Sequence, residues 1–249
     1  MESEELKEET LLSHLVELRS RLLKAGGCIL VLFLCMAPFS DFIFSSIALP
    51  LMRQLPEGSS MIATQVASPF LTPFKTTMFA ALFLSMPVVL YQVWSFAAPG
   101  LYYKEKRFAV PLLISSIALF YLGTVFAYVV VFPIVFAFFT SAAPTGVAVM
   151  TDITSYLDFV LVLFFAFGVA FEVPIATVIL VWSGLTTVEA LKKNRAYVFL
   201  GAFVIGMLVT PPDIISQTLL AVPVYLLYEC GILLARILSK PKESLEENE

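Results

Sequence analysis

Glu172 is the residue of this chain that most needs a chemical explanation. It stands two residues before Pro174 inside AFGVAFEVPIATVIL, residues 166–180, an apolar run suited to the interior of a lipid bilayer. A charge near the centre of a membrane helix costs about 2.5–3.5 kcal/mol on insertion scales. Pro174 lacks a backbone N–H, frees the carbonyl of Ala170 and bends the helix. A carboxylate beside a bend describes a polar recess within the bundle, because ionisable groups in membrane segments mark functional sites by default. The alternative is a protonated carboxyl hydrogen-bonded to a neighbouring helix, which would help to hold the fold.

Three further groups could do chemistry. In HLVELRSRLL, residues 14–23, and just beyond it, His14, Glu17, Arg21 and Lys24 recur at i, i+3, i+7 and i+10, roughly one helical face. Leu15, Leu18 and Leu22 form the neighbouring stripe, so the segment reads as a short amphipathic helix lying at the interface before the first span. It could equally be a topological anchor whose Glu–Arg pairs are worth a few tenths of a kcal/mol. In APGLYYKEKR, residues 98–107, Glu105 is the single acid among Lys104, Lys106 and Arg107. Acidic residues count little toward topology, and an ion pair in water gains almost nothing. In VTPPDIISQ, residues 209–217, the turn Pro211-Pro212-Asp213 has the grammar of an N-cap, with Asp213 accepting from Ile215 or Ser216. Gln217, one turn on, is placed to hydrogen-bond across helices. With one histidine and no H-E-x-x-H, G-x-S-x-G or Cys/His cluster, the chain is not expected to be an enzyme, nor to hold a metal or other cofactor.

The elements that position these groups follow from composition. Hydrophobic residues make up 59% of the chain and charged residues 14%, with a mean hydropathy of +0.93. Soluble domains are about 45–50% apolar and about 25% charged, so the chain is an all-α integral membrane protein. Apolar stretches near 22–40, 76–97, 108–138, 159–182, 196–209 and 214–235 predict six spans in a single polytopic domain over residues 1–249. The third is long enough to tilt or to leave the membrane near Pro133. The fifth gives roughly 21 Å of helix against a hydrocarbon core of about 30 Å, so the bilayer should thin beside it. Residues 41–75, with Pro50, Pro56, Pro69 and Pro73, read as a semi-rigid loop, and residues 140–158 as a second. Of 15 lysines and arginines, only Arg53 and Lys75 fall on the side away from the termini. The positive-inside rule therefore places both termini in the cytoplasm, the C-terminus as an acidic tail over 240–249. Cys28, Cys35 and Cys230 lie in apolar spans and read as small buried hydrophobes.

Taken in order, HLVELRSRLL, SPF at 68–70, YQVWSFAAPGLYYKEKR at 91–107, FGVAFEVPI at 167–175 and GAFVIGMLVTPPDIISQTLLAVPVYLLYE at 201–229 resemble the TatC family of the twin-arginine protein translocase, proteobacterial type. The resemblance covers roughly residues 11–236. It implies a concave six-helix bundle in the bacterial inner membrane that recognises S-R-R-x-F-L-K-type signal peptides of folded cargo. It also implies export driven by the proton-motive force with the single-span partners TatA and TatB, and self-association within the complex. By the same resemblance Glu17 and Glu105 are signal-contact acids, with Arg19 and Phe96 on the same face. A guanidinium pairs with carboxylate in a bidentate fork, which gives both acids a purpose. Met207, Thr210 and Gln217 match the partner-docking hairpin around Pro211, Pro212 and Asp213, and Glu172 becomes the polar point of the concave face. The competing reading is an ion-coupled small-molecule transporter, which would also use a midplane Glu, but such folds carry internal repeats that this sequence lacks.

Overall fold

A computed structural model describes residues 2–52, 61–97, 106–141, 150–209 and 214–238. Among these residues all regular structure is helical, apart from one parallel bridge between Ile62 and Asp152. Five helical stretches are long and apolar enough to cross a membrane: Leu15–Ala48, Ser68–Phe96, Val110–Phe139, Ile153–Trp182 and Ile214–Leu238. A shorter apolar helix, Arg195–Leu208, lies where the short fifth span was expected. The chain divides into two compact units, Met1–Leu113 with Ala148–Asp158, and Ile114–Val147 with Phe159–Glu249.

In the first unit, α1 runs from Glu2 to Met36 without interruption. The separate interfacial helix expected at 14–23 is therefore the middle of one long rod. Nothing between Lys24 and Cys28 stops it, because the Gly26-Gly27 pair costs only about 1 kcal/mol per residue relative to alanine. A 3₁₀ turn at Ala37–Phe39, with Pro38 in its first turn, redirects the chain into α2, Ser40–Met52. Both α1 and α2 pack on α3, Ser68–Ala97. The loop predicted over 41–75 is thus largely helical at both ends. Pro69 sits in the opening turn of α3, where a missing N–H costs nothing. Pro73 and Pro87 lie inside α3, and the hydroxyl of Thr77 donates to the Pro73 carbonyl at 2.8 Å.

A polar ladder ties the start of α3 and the segment before it to the first turns of α6, Ile153–Ala170. Asp152 caps α6: the Ser155 backbone N–H donates to Oδ2 at 3.0 Å. Its other oxygen accepts from the Thr64 backbone at 3.0 Å and the Thr64 hydroxyl at 2.8 Å. The Ile62 N–H donates to Thr151 O, and the Ile153 N–H donates back to Ile62 O. One turn along, the Thr154 hydroxyl donates to Ser68 Oγ at 2.8 Å, and beyond it Lys75 pairs with Asp158. The loop predicted over 140–158 therefore ends early, because Asp152 starts the helix.

The Ser155 and Thr64 N–H groups hold the Asp152 carboxyl well below its ordinary value of 3.8. A depressed folded-state value stabilises the fold above 3.8 and loses that contribution only as pH falls below it. Hydrogen-exchange protection of the Thr64 and Ser155 amides is therefore expected to hold from pH 7 down to 4. Asp152→Asn should lower it throughout, because the amide nitrogen cannot accept. Loss of protection between pH 7 and 5 in the unaltered protein would contradict the assignment.

The second unit contains most of α4, Lys106–Phe126, a π-turn at Ala127–Val131 and α5, Phe132–Ser141. An uninterrupted α-helix would press the Pro133 ring on the Val129 carbonyl; the wider turn relieves this, so the chain stays helical past Pro133. Helix α6 ends at Ala170, and α7 covers Val173–Trp182. It closes on Gly184 at φ +74°, with the Leu185 N–H reaching Leu180 O and the Gly184 N–H reaching Val181 O, a Schellman stop. Then come α8, Val188–Lys193, α9, Arg195–Val209, and α10, Ile214–Leu238. The core gathers Ala127, Val131, Val135, Leu163, Phe167, Phe171 and Leu220. Glycines let the helices approach: a Cβ on Gly123 would lie 2.5 Å from the Phe167 carbonyl, and one on Gly168 2.5 Å from the Phe120 ring. Gly231 likewise admits Thr177 of α7 against α10. Small residues at such crossings gain dispersion contacts, which matter most where lipid is as apolar as leucine.

Candidate functional site

The first cluster forms where α1 meets the last turns of α3. Arg21 donates through Nε at 2.9 Å and Nη2 at 2.5 Å to one oxygen of Glu17, its neighbour one turn back. Its Nη1 makes a longer contact of 3.5 Å to Gln92 Oε1 of α3. Phe96 lies one turn beyond Gln92 and is half-buried. The structure thus brings Glu17 and Gln92 to one place, with Arg21 between them. The Glu17 side chain keeps 40% of its surface and Arg21 20%, so the carboxylate is presented rather than sealed. Both Arg21 bonds go to Glu17 Oε1, and no described residue bonds to Oε2. A carboxylate has about four lone-pair sites, so this one is oriented and still able to accept. Arg19 is exposed on the same helix. Glu105 lies outside the described residues, as does the side chain of His14. Sequence reasoning did not single out Gln92; the signal available was an amide in an otherwise apolar stretch of α3, one turn before Phe96.

The second cluster surrounds Glu172 in the second unit. The Glu172 N–H closes a tight turn on Val169 O at 3.0 Å, and its carbonyl accepts from Ala176 N at 2.9 Å. Pro174 sits in the opening turn of α7, so the predicted bend is a change of helix. The side chain is 7% exposed. Its Oε2 accepts from Ser116 Oγ of α4 at 2.5 Å, a short bond inside the protein. Ser116 itself is buried, and sequence reasoning did not single it out either.

The third cluster is the α9–α10 hairpin. Gln217 Nε2 donates across it to Phe203 O at 2.8 Å, so the amide nitrogen fastens the hairpin itself. Gly206 makes room for the Gln217 side chain. Met207 is 53% exposed, on a face with Leu200, Val204 and Leu208. At the other end Arg195 pairs with Glu229 at 2.6 Å, and Phe199 meets Tyr225 edge-on. Thr210, Pro211, Pro212 and Asp213 lie outside the described residues, as does the tail over 240–249.

Residues 13–223 match the family model described as Sec-independent protein translocase protein (TatC). The chain is 60% identical over 222 residues to the TatC protein of Azotobacter chroococcum mcd 1, covering 89% of this chain and 87% of that one. It is 57% identical over 228 residues to that of Escherichia coli strain K12, covering 92% and 88%. Its fold matches the crystal structure of a twin-arginine translocase receptor, TatC, with a TM-score of 0.81 at 36% identity, covering 91% of this chain and 100% of that one. These likenesses extend across the α1–α3 face and the Glu172 turn, and they carry a transport function rather than an enzymatic one. The chain belongs to the TatC family of membrane protein translocases.

Proposed function

We propose that the protein is the receptor subunit that binds twin-arginine signal peptides of folded cargo at its cytoplasmic face. On this reading it exports that cargo across the bacterial inner membrane with TatA and TatB, drawing on the proton-motive force. The observation that carries the reading is the Glu17–Arg21–Gln92 cluster, one turn before Phe96 along α3. It presents a pre-aimed, half-exposed carboxylate whose Oε2 accepts from no described residue. Gln92 gives Arg21 a second acceptor, so an incoming guanidinium takes Oε2 without evicting Arg21. Glu105, between α3 and α4 in the sequence, supplies the second acid for a second arginine. Six crossings with both termini in the cytoplasm fit the distribution of Lys and Arg, with the α9 helix as the short span. The test is binding of a signal peptide to the purified protein with its arginine pair intact or replaced by two lysines. The intact pair is expected to bind and the lysine pair to bind far more weakly, since Lys offers a point charge in place of a fork. Equal binding would remove the receptor reading.

The α9–α10 hairpin is proposed as the docking face for a single-span partner. The Leu200, Val204, Met207 and Leu208 row is exposed, and short α9 leaves adjoining lipid mismatched. Because Gln217 Nε2 is engaged with Phe203, the amide oxygen is the atom it would offer a partner helix. Cysteines at Met207 and along a partner helix are expected to crosslink; crosslinks confined to α3 and α4 would place the docking face elsewhere.

A further inference from the structure

Two adjoining grooves at the end of the second unit take no part in peptide or partner binding as proposed above. The larger, about 840 Å³, runs between the end of α7, α8 and the last turns of α10. Its walls include Val181, Leu233 and Ile237, and its edge carries Lys192 and Arg236, with Glu189 at the start of α8. The smaller, about 340 Å³, shares Lys192, Leu233 and Arg236 with it and continues to Arg195 and Glu229. The last two satisfy each other at 2.6 Å. Among the described residues neither Lys192 nor Arg236 forms an ion pair, so two cations border one partly apolar space with no acid engaging them.

Depth decides what such a space receives. Helix α10 is long and apolar enough to cross the bilayer, and Arg236 lies in its last turn, at the level where a membrane helix meets headgroups. Helix α7 ends at Trp182, a residue type concentrated at that same level. Leu233 and Ile237, one turn apart on α10, are both exposed and continue the wall toward the hydrocarbon. A free anion would use the cations and leave the walls wet. An acyl chain alone would leave the cations unanswered. We propose that this groove is a binding site for an anionic phospholipid, its phosphate between Lys192 and Arg236 and an acyl chain along Leu233 and Ile237. Basic pockets between membrane helices at the headgroup level favour such lipids. A zwitterionic lipid brings its own ammonium against the two cations and gains less. The inference needs only the membrane-spanning reading, not the receptor role.

The test is native mass spectrometry of the purified full-length protein titrated with dioleoylphosphatidylglycerol or dioleoylphosphatidylcholine. Phosphatidylglycerol is expected to be retained preferentially, and the preference to shrink at high salt in the unaltered protein, a readout that needs no mutation. Lys192→Gln and Arg236→Gln should each weaken retention about fivefold and together about 25-fold, while Lys192→Arg keeps it. Lys193→Gln removes the same charge from the same helix outside the groove and should change little. Equal retention of the two lipids would overturn the proposal. So would a Lys193→Gln effect as large as that of Lys192→Gln, which would mean diffuse attraction. A large rise in phosphatidylglycerol retention on deleting residues 240–249 would overturn it as well, by assigning the groove to the acidic tail.

Discussion

Glu17→Ala and Glu105→Ala are each expected to weaken binding of a twin-arginine peptide by about tenfold or more while leaving the fold intact. A hydrogen bond to a charged group is worth about 1.5–3 kcal/mol, and about 1.4 kcal/mol is tenfold in affinity. Glu17 keeps 40% of its side-chain surface, so water screens the bond and the effect should fall near the lower end of that range. The cost to stability is small, because the intrahelical pair with Arg21 contributes only a few tenths of a kcal/mol. Losing Glu17 also frees Arg21, which lies beside it and repels the incoming arginines. Affinity for Glu17→Ala should therefore fall less with added salt than that of the unaltered protein, because salt screens the repulsion. Affinity measured by fluorescence anisotropy with a labelled peptide decides it. Unchanged affinity in both single variants and the double would take these acids out of the site.

The other large effect is expected at Glu172. Its carboxyl is buried, meets Ser116 at 2.5 Å, and sits where α6 gives way to α7. We propose that its role in transport is to supply a polar contact for a partner or for water at the helix break. Glu172→Gln keeps the shape and an oxygen to accept from Ser116, so much of the transport activity should survive. Glu172→Leu removes that acceptor and with it the buried bond to Ser116, so more of the activity should be lost. An obligatory proton carrier would behave otherwise, because Gln cannot cycle a proton and would fail as fully as Leu. Transport assays at matched membrane levels separate the two, and equal loss would sink the polar-contact role.

What the sequence disclosed depended on how local the physics was. Apolar length located every long helix, because burying unsatisfied backbone in lipid is too costly to permit alternatives. The break at Glu172 was legible from Pro174 alone, since a missing N–H acts within one turn. Helix starts were harder. Residues 41–52 were read as part of a loop with Pro50, Pro56, Pro69 and Pro73, yet Pro69 occupies the first turn of α3, where proline is tolerated, and α2 covers Ser40–Met52. The start of α6 was missed although its cap is local, Asp152 accepting from Ser155 three residues on; only the tie from Asp152 to Thr64, 88 residues away, lay beyond local reading. The same holds for the sites. Glu17 stood out by type, but Gln92 and Ser116 are ordinary polar residues until the fold sets them against Arg21 and Glu172.

We propose that the Glu17 carboxylate receives a signal-peptide arginine. A double-mutant cycle tests it most directly: Glu17→Gln in the protein, each arginine of the peptide pair changed singly to lysine, and binding measured for all combinations. If one of those arginines reaches Oε2 of Glu17, the two changes should be non-additive by about 1 kcal/mol or more for that arginine and additive for the other. Additivity within about 0.3–0.5 kcal/mol for both arginines would contradict the account, because groups that do not touch contribute independently.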